Sequence, residues 1–191
     1  MAGFGLRLGK SQGMEGYTGN LIEFDIDPAN TNPIFTGDVV AFDGGGFVEE
    51  ATLGGTIADQ DDFSVLGIFM GCRFTEADGD YEFKNQWNGG AGRTEAKAHV
   101  AIPAHGMHWI KGQAGATYTQ ADIGTLKGVL YNVGSTQYGD SRMTLGAPGA
   151  SVLTAPLIVH RLAPLPNNTF ASDEPIFEVS VARSAGYGTT L

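Results

Sequence analysis

Several short stretches of this chain hold residues that do chemistry elsewhere. Gly139-Asp140-Ser141 has the form of a short serine-esterase nucleophile motif. That chemistry needs the serine at a strand-to-helix elbow, a histidine to activate it and backbone donors for the oxyanion. Arg142 to Leu145 reads as a strand, and His160 is the only histidine downstream, so the motif reads as a turn ahead of a strand. His99, His105 and His108 raise a metal site. In a strand, residues three apart face opposite sides, so His105 and His108 do not converge, and no cysteine or carboxylate stands at ligand spacing. They read as polar edge or interface histidines. Asp59-Gln60-Asp61-Asp62 and Asp78-Gly79-Asp80 offer hard oxygen ligands but lack the EF-hand spacing that closes on a bidentate glutamate. They read as solvated turns.

Three further features carry the same double reading. Gly3-Phe4-Gly5-Leu6-Arg7-Leu8-Gly9 is loosely like a glycine-rich nucleotide loop, but lacks the preceding strand and following helix that would aim a helix N-terminus at a pyrophosphate. Cys72, the single cysteine, ends the apolar run VLGIFMGC and reads as a buried, inert thiol without a polar activating partner. Trp87 lies in the polar, glycine-rich stretch Asn85 to Gly90. It is either a core ring or an exposed one able to stack on a sugar or fill a partner's pocket, and Trp109 is open to the same alternatives. No constellation for catalysis stands out, and the residues imply no cofactor and no metal.

The elements that would position these residues are strands. Leu21 to Ile26 alternates with a period of two, which predicts one buried face. Val65 to Cys72 is almost wholly apolar and suits a strand buried on both faces. Arg73 to Thr75 and Tyr81 to Lys84 flank Asp78-Gly79-Asp80, a strong hairpin signal because Asp-Gly accepts positive φ. Asp38 to Phe42, Lys97 to Ile102, Met107 to Lys111, Gly128 to Val133, Arg142 to Leu145, Leu157 to Leu162 and Ile176 to Val181 complete roughly ten short strands. Together they predict an all-β antiparallel sandwich or barrel. The one helix candidate is Thr119 to Leu126, weakened by Gly124.

Composition agrees. The chain has 191 residues with 29 glycines, about twice the usual ~7%. Glycine disfavours helices and suits tight turns. Charged residues are only 17%, which fits a surface partly covered by neighbours. The net charge of −10 argues against nucleic acid and against an anionic membrane, both of which are held by Lys and Arg. No apolar run approaches the ~20 residues of a membrane span. Residues 1–20 carry six glycines and read as an extended arm, 21–183 as the β-rich domain and 184–191 as a tail.

Taken in order, several stretches resemble the small capsid decoration, or cement, proteins of tailed bacteriophages. They are GFGLR (3–7), IFTGDVV (34–40), VLGIFMGC with the following Tyr/Phe hairpin, FKNQW (83–87) and KAHVAIPAHGMHWIKGQ (97–113). DIG (122–124), GDSRMTL (139–145), His160-Arg161-Leu162, a proline loop with Asn167-Asn168, and a last strand at Phe177 to Val181 follow. The tail from Ser184 departs from the pattern. The resemblance implies a β-rich structural protein made in the host cytoplasm and bound to the outer surface of the virion. It would have no active site and would bridge major capsid protein subunits as a homo-oligomer, a trimer ahead of a dimer. Phe4, Leu6 and Leu8 are the expected anchors of the arm, with Arg7, Trp87 and Tyr187 as further partner-binding candidates. The rival reading is a carbohydrate-binding β-sandwich that uses Trp87 or Trp109 as its platform.

Overall fold

The computed structural model describes residues 4–11, 21–51, 65–90, 92–102, 106–147 and 157–181, and for 8–11, 65 and 106 the backbone alone. Among them are fifteen strands and no α-helix, so the protein is all-β. In chain order the strands are β1 (Arg7–Ser11), β2 (Leu21–Asp25), β3 (Ile34–Phe35), β4 (Val39–Phe42), β5 (Val48–Glu50), β6 (Val65–Thr75), β7 (Tyr81–Lys84) and β8 (Gln86–Trp87). They continue with β9 (Thr94–Ala101), β10 (Gly106–Lys111), β11 (Leu126–Lys127), β12 (Val129–Leu130), β13 (Thr144–Leu145), β14 (Leu157–Leu162) and β15 (Ile176–Val181).

A six-stranded sheet runs β2-β9-β6-β4-β5, with β7 also paired to β6, and a five-stranded sheet runs β1-β10-β15-β14-β11. All strand pairs are antiparallel, and two small ribbons, β3-β8 and β12-β13, complete the fold. The eleven residues of β6 let it seat two neighbours along one edge: β4 pairs from Val65 to Ile68 and β7 from Cys72 to Thr75. The β6–β7 hairpin predicted from Asp-Gly is present. Gly79 sits at φ 94°, and the turn is closed by Glu76 N–H to Asp80 C=O at 2.8 Å.

The six-stranded sheet is buried on both faces in its middle. Val39, Ile68 and Ala101 face one core, together with Ile110, Leu157, Val159, Phe177 and Val179 of the other sheet. Their immediate neighbours Val40, Phe69 and Val100 face a second core with Ile34, Cys72, Phe74 and Trp87. This explains the nearly continuous apolar run of β6, because a strand covered on both sides has no solvent face to alternate with. A β-bulge between Phe69 and Gly71 then shifts the phase of the strand. Gly71 has φ 138°, and a Cβ there would stand 2.9 Å from the Lys84 carbonyl oxygen, so glycine is required.

Two expectations are corrected. Residues 4–11 are not a free arm: Leu6 is buried in the inter-sheet core and β1 pairs with β10. What admits it is glycine at Gly5, where a Cβ would lie 2.5 Å from both the Gly37 oxygen and the Ser141 Cβ. Residues 12–20 and the tail 184–191 lie outside the described residues. The helix candidate at Thr119 to Leu126 is a single 3-10 turn, Gln120–Asp122, followed by β11. There Asp122 accepts from Thr119 N–H and Lys127 Nζ, both at 2.7 Å, and Gly124 at φ 81° turns the chain onto Val159. The alternation of Leu21 to Ile26 does give one inward face, since Ile26 is buried in the second core and Phe24 packs against it, while Ile22 at the start of this edge strand stays 40% exposed.

Burial of Leu6 yields a direct prediction. Leu6→Ala should lower the stability read from urea unfolding by ~2–4 kcal/mol, the usual cost of a large-to-small change in a core. An unchanged midpoint would mean that this segment contributes nothing to the fold.

Candidate interaction surface

The site grows from an uncovered part of one sheet face. In β9, Lys97 and His99 lie on the same face as Ala101, by strand alternation. Ala101 is covered by the five-stranded sheet, whereas Lys97 and His99 are only half-buried. Past the bulge, Arg73 of β6 comes to this face, because Cys72 and Phe74 on either side of it point into the second core. Register places Glu23 opposite His99, Asp25 opposite Lys97, Lys97 opposite Arg73, and Arg73 opposite Phe83. The result is a shelf of four strands, β2, β9, β6 and β7, beyond the edge of the facing sheet.

Apolar rings stand on this shelf. Phe83 is 67% exposed, Tyr81 49% and Leu21 46%. Tyr81 and Phe83 meet edge to face with centroids 5.1 Å apart, and Phe83 lies 6.3 Å from the His99 ring. Beneath them, Arg73 donates through Nε and Nη2 to the two oxygens of Glu23, at 2.9 and 2.8 Å, and through Nη1 to the Tyr81 hydroxyl at 2.9 Å. His99 Nε2 lies 3.3 Å from Glu23, and Lys97 pairs with Asp25. The Arg73 guanidinium holds the Glu23 carboxyl down to about 2, with His99 adding to the effect. The pairs are exposed and add little to global stability. Their consequence is local, since Arg73 ties the Tyr81 ring to β2 and keeps the aromatic pair in one orientation.

A second apolar display follows in the chain. Val133 and Tyr138, 63% and 65% exposed, project from the loop between β12 and β13. The loop is anchored to the segment that follows Phe83: Asn85 Nδ2 donates to the Tyr138 carbonyl at 2.7 Å and Gln86 Nε2 to the Thr136 carbonyl at 3.1 Å. Residues 81–86 therefore carry one apolar display and hold the other.

The expected site residues fall differently. Trp87 is wholly buried, packed edge to face on Phe74 at 5.5 Å, with its indole N–H donating to the Asn30 carbonyl at 3.0 Å. Arg93 covers both rings, 4.3 Å from Phe74 and 5.4 Å from Trp87, and is itself held by Glu76. As a partner-binding or sugar-stacking ring Trp87 is thus corrected, because the aromatic spacing that could present it also suits the second core. Trp109 is half-buried, its N–H bound to Glu178. Leu6 is core and offers no anchor to a partner. Phe4 is half-buried beneath the exposed Arg7 guanidinium at 4.6 Å, with Lys111 at 5.6 Å. Leu8 pairs with His108 through its backbone, and its side chain, like Tyr187, lies outside the described residues.

Neither esterase partner is placed for that chemistry. Ser141 is buried and accepts from Met143 N–H, while His160 pairs with Ser180 at 2.7 Å. His99 and His108 belong to different sheets, His108 is buried with both ring nitrogens unpartnered among the described residues, and His105 is outside them. Burial pulls His108 down to about 4, and it pushes the Cys72 thiol up to about 12 against the opposing charges of Arg93 and Lys84. Asp78 and Asp80 cap their own turn, Asp78 Oδ1 accepting from Asp80 N–H at 3.2 Å, and Asp59 to Asp62 are outside the described residues. Among the described residues no group of three or more His, Cys, Asp or Glu could hold a metal ion.

The exposed aromatic pair was missed in the sequence. The signal was the alternation Tyr81-Glu82-Phe83-Lys84, which puts both rings on one face. Comparison with protein-family models, curated proteins and solved structures finds no match to this chain.

The ionic base of the shelf is testable by carboxyl-carbon NMR. Glu23 should titrate near 2, and in Arg73→Gln its midpoint should rise toward the ordinary carboxylate range near 4.5. An unmoved midpoint would remove Arg73 as the group that fixes this surface.

Proposed function

We propose that this chain is a structural protein that works by binding other protein subunits, as a decoration protein on the outer surface of a tailed-phage capsid. The observation that carries the reading is the shelf: Tyr81, Phe83 and Leu21 stand uncovered on a sheet whose middle is buried on both faces. Aromatic rings fixed in place and ringed by charged pairs are the usual anatomy of a protein-binding patch, with an apolar centre that loses water and a polar rim. The anchored loop with Val133 and Tyr138 supplies a second contact, which suits a protein that bridges two neighbours.

The partner is the major capsid protein, engaged by a homo-oligomer, a trimer ahead of a dimer. The acidic balance of −10 fits the outer surface, away from packaged DNA. Contacts that exist only on the expanded shell stabilise that state by mass action, and many weak copies act together. The role first expected of an N-terminal arm passes to the shelf, because deleting residues 1–16 would also remove β1 and Leu6 from the fold.

Purified protein mixed with expanded capsids that lack a decoration protein should give regular outer density by electron cryomicroscopy, and the capsids should survive heating better. The double variant Tyr81→Ser/Phe83→Ser should bind them at least about tenfold more weakly, as loss of central aromatics does at interfaces, with its own thermal unfolding little changed. Bare capsids at saturating wild-type protein would overturn the capsid reading. Full binding by the double variant would overturn the assignment of the shelf.

A further inference from the structure

Asp38 and Glu50 are the acids that the fold treats most unusually. Asp38 precedes β4, and Glu50 in β5 pairs with Val40, so the two are diagonal neighbours across adjacent strands. Asp38 is buried and Glu50 half-buried, and each keeps one buried carboxyl oxygen, Asp38 Oδ1 and Glu50 Oε1, without a hydrogen-bond donor among the described residues. A buried carboxylate oxygen with no donor is costly unless a proton occupies it.

The remaining oxygens are tied to both ends of one loop. Asp38 accepts from Phe35 N–H at 2.7 Å and from the Ser141 hydroxyl, and Glu50 is hydrogen-bonded to Tyr131. Ser141 and Tyr131 bracket the loop that presents Val133 and Tyr138. The groups acting on the pair are these two hydroxyls, the Phe35 amide and the two acids themselves, with no Lys, Arg or His among them. We propose that Asp38 and Glu50 form a buried carboxyl pair that, while Glu50 keeps its proton, locks the 131–141 loop to β4 and β5, and that loss of the proton loosens the loop. Once both acids are charged, they repel in a site with no cation among the described residues, and Glu50, the less buried, turns to water and leaves Tyr131.

The direction of the pH effect follows. Burial, and for Glu50 also the charge of Asp38, raises Asp38 to about 6 and Glu50 to about 8. A raised acid stabilises the fold fully below its unfolded value and loses that contribution as pH rises through its folded value. For Glu50 the window is about 4.5 to 8. His108, lowered to about 4, acts oppositely and only below its ordinary 6.5. From pH 6.5 to 8, Glu50 therefore dominates.

The test is hydrogen exchange, corrected for intrinsic pH dependence, of the Ser135 and Gly139 amides that close the loop, beside urea unfolding over the same range. In the wild type, loop protection should fall between pH 6.5 and 8, and the unfolding constant should rise by up to about tenfold per pH unit. Glu50→Gln, which cannot ionise, should flatten both, and it retains the Tyr131 contact if the fold is intact. Protection independent of pH in the wild type, or the same slope in Glu50→Gln, would overturn the proposal. So would stabilisation by millimolar Ca2+ or Mg2+ at pH 8 that depends on Glu50, because a cation would then be the occupant of the pair.

Discussion

The structure depends on β6 being buried on both faces. Ile68 packs into the core between the sheets while Phe69, the next residue, packs into the second core. A strand so enclosed must satisfy its backbone entirely within the sheet, and β6 does so through β9 on one edge and β4 with β7 on the other. The bulge at Gly71 then turns the second half of the strand, so that Cys72 and Phe74 go inward and Arg73 outward. Without that shift of phase a guanidinium would point into a core and a phenyl ring into water.

The shelf follows from that single shift together with the reach of the facing sheet. Residues of the four-strand face that pass beneath the five-stranded sheet are apolar, as with Ala101 and Ile68, and those beyond it carry Lys97, His99, Arg73 and Glu23. On this charged ground the exposed Tyr81 and Phe83 are the exception. Arg73 accounts for their order, since it bridges the acid of β2 to the phenol of β7. Large exposed rings held in place lose little rotamer freedom on contact with a partner, and this lowers the entropic cost of binding.

Elsewhere the protein buries charge in pairs. Lys127 is matched by Asp122 and Glu178 by Arg161 and the Trp109 N–H, each with a short contact. Asp38 and Glu50 break this habit, having among the described residues only hydroxyls and an amide for partners. The contrast separates acids whose role is to fasten strands from a pair whose charge state alters the fit of a loop.

Much of the architecture was legible in the chain. Period-two and wholly apolar runs located β6, β14 and β15, the last two with bounds that match the structure, and Asp78-Gly79 located the hairpin. Strands of two or three residues, such as β3, β5, β8 and β11, are too short to show a period. What the sequence by itself determined was the strand class, because alternation and turn chemistry are local. Only the tertiary structure decided which faces are covered. Gly5-Leu6 reads as a flexible arm until Gly37 and Ser141 close around it. Trp87 sits in a polar loop yet fills a core, and Asp38 meets Glu50 only through the pairing of β4 with β5. Exposure is a property of contacts between distant segments, and no local pattern encodes where a facing sheet will end.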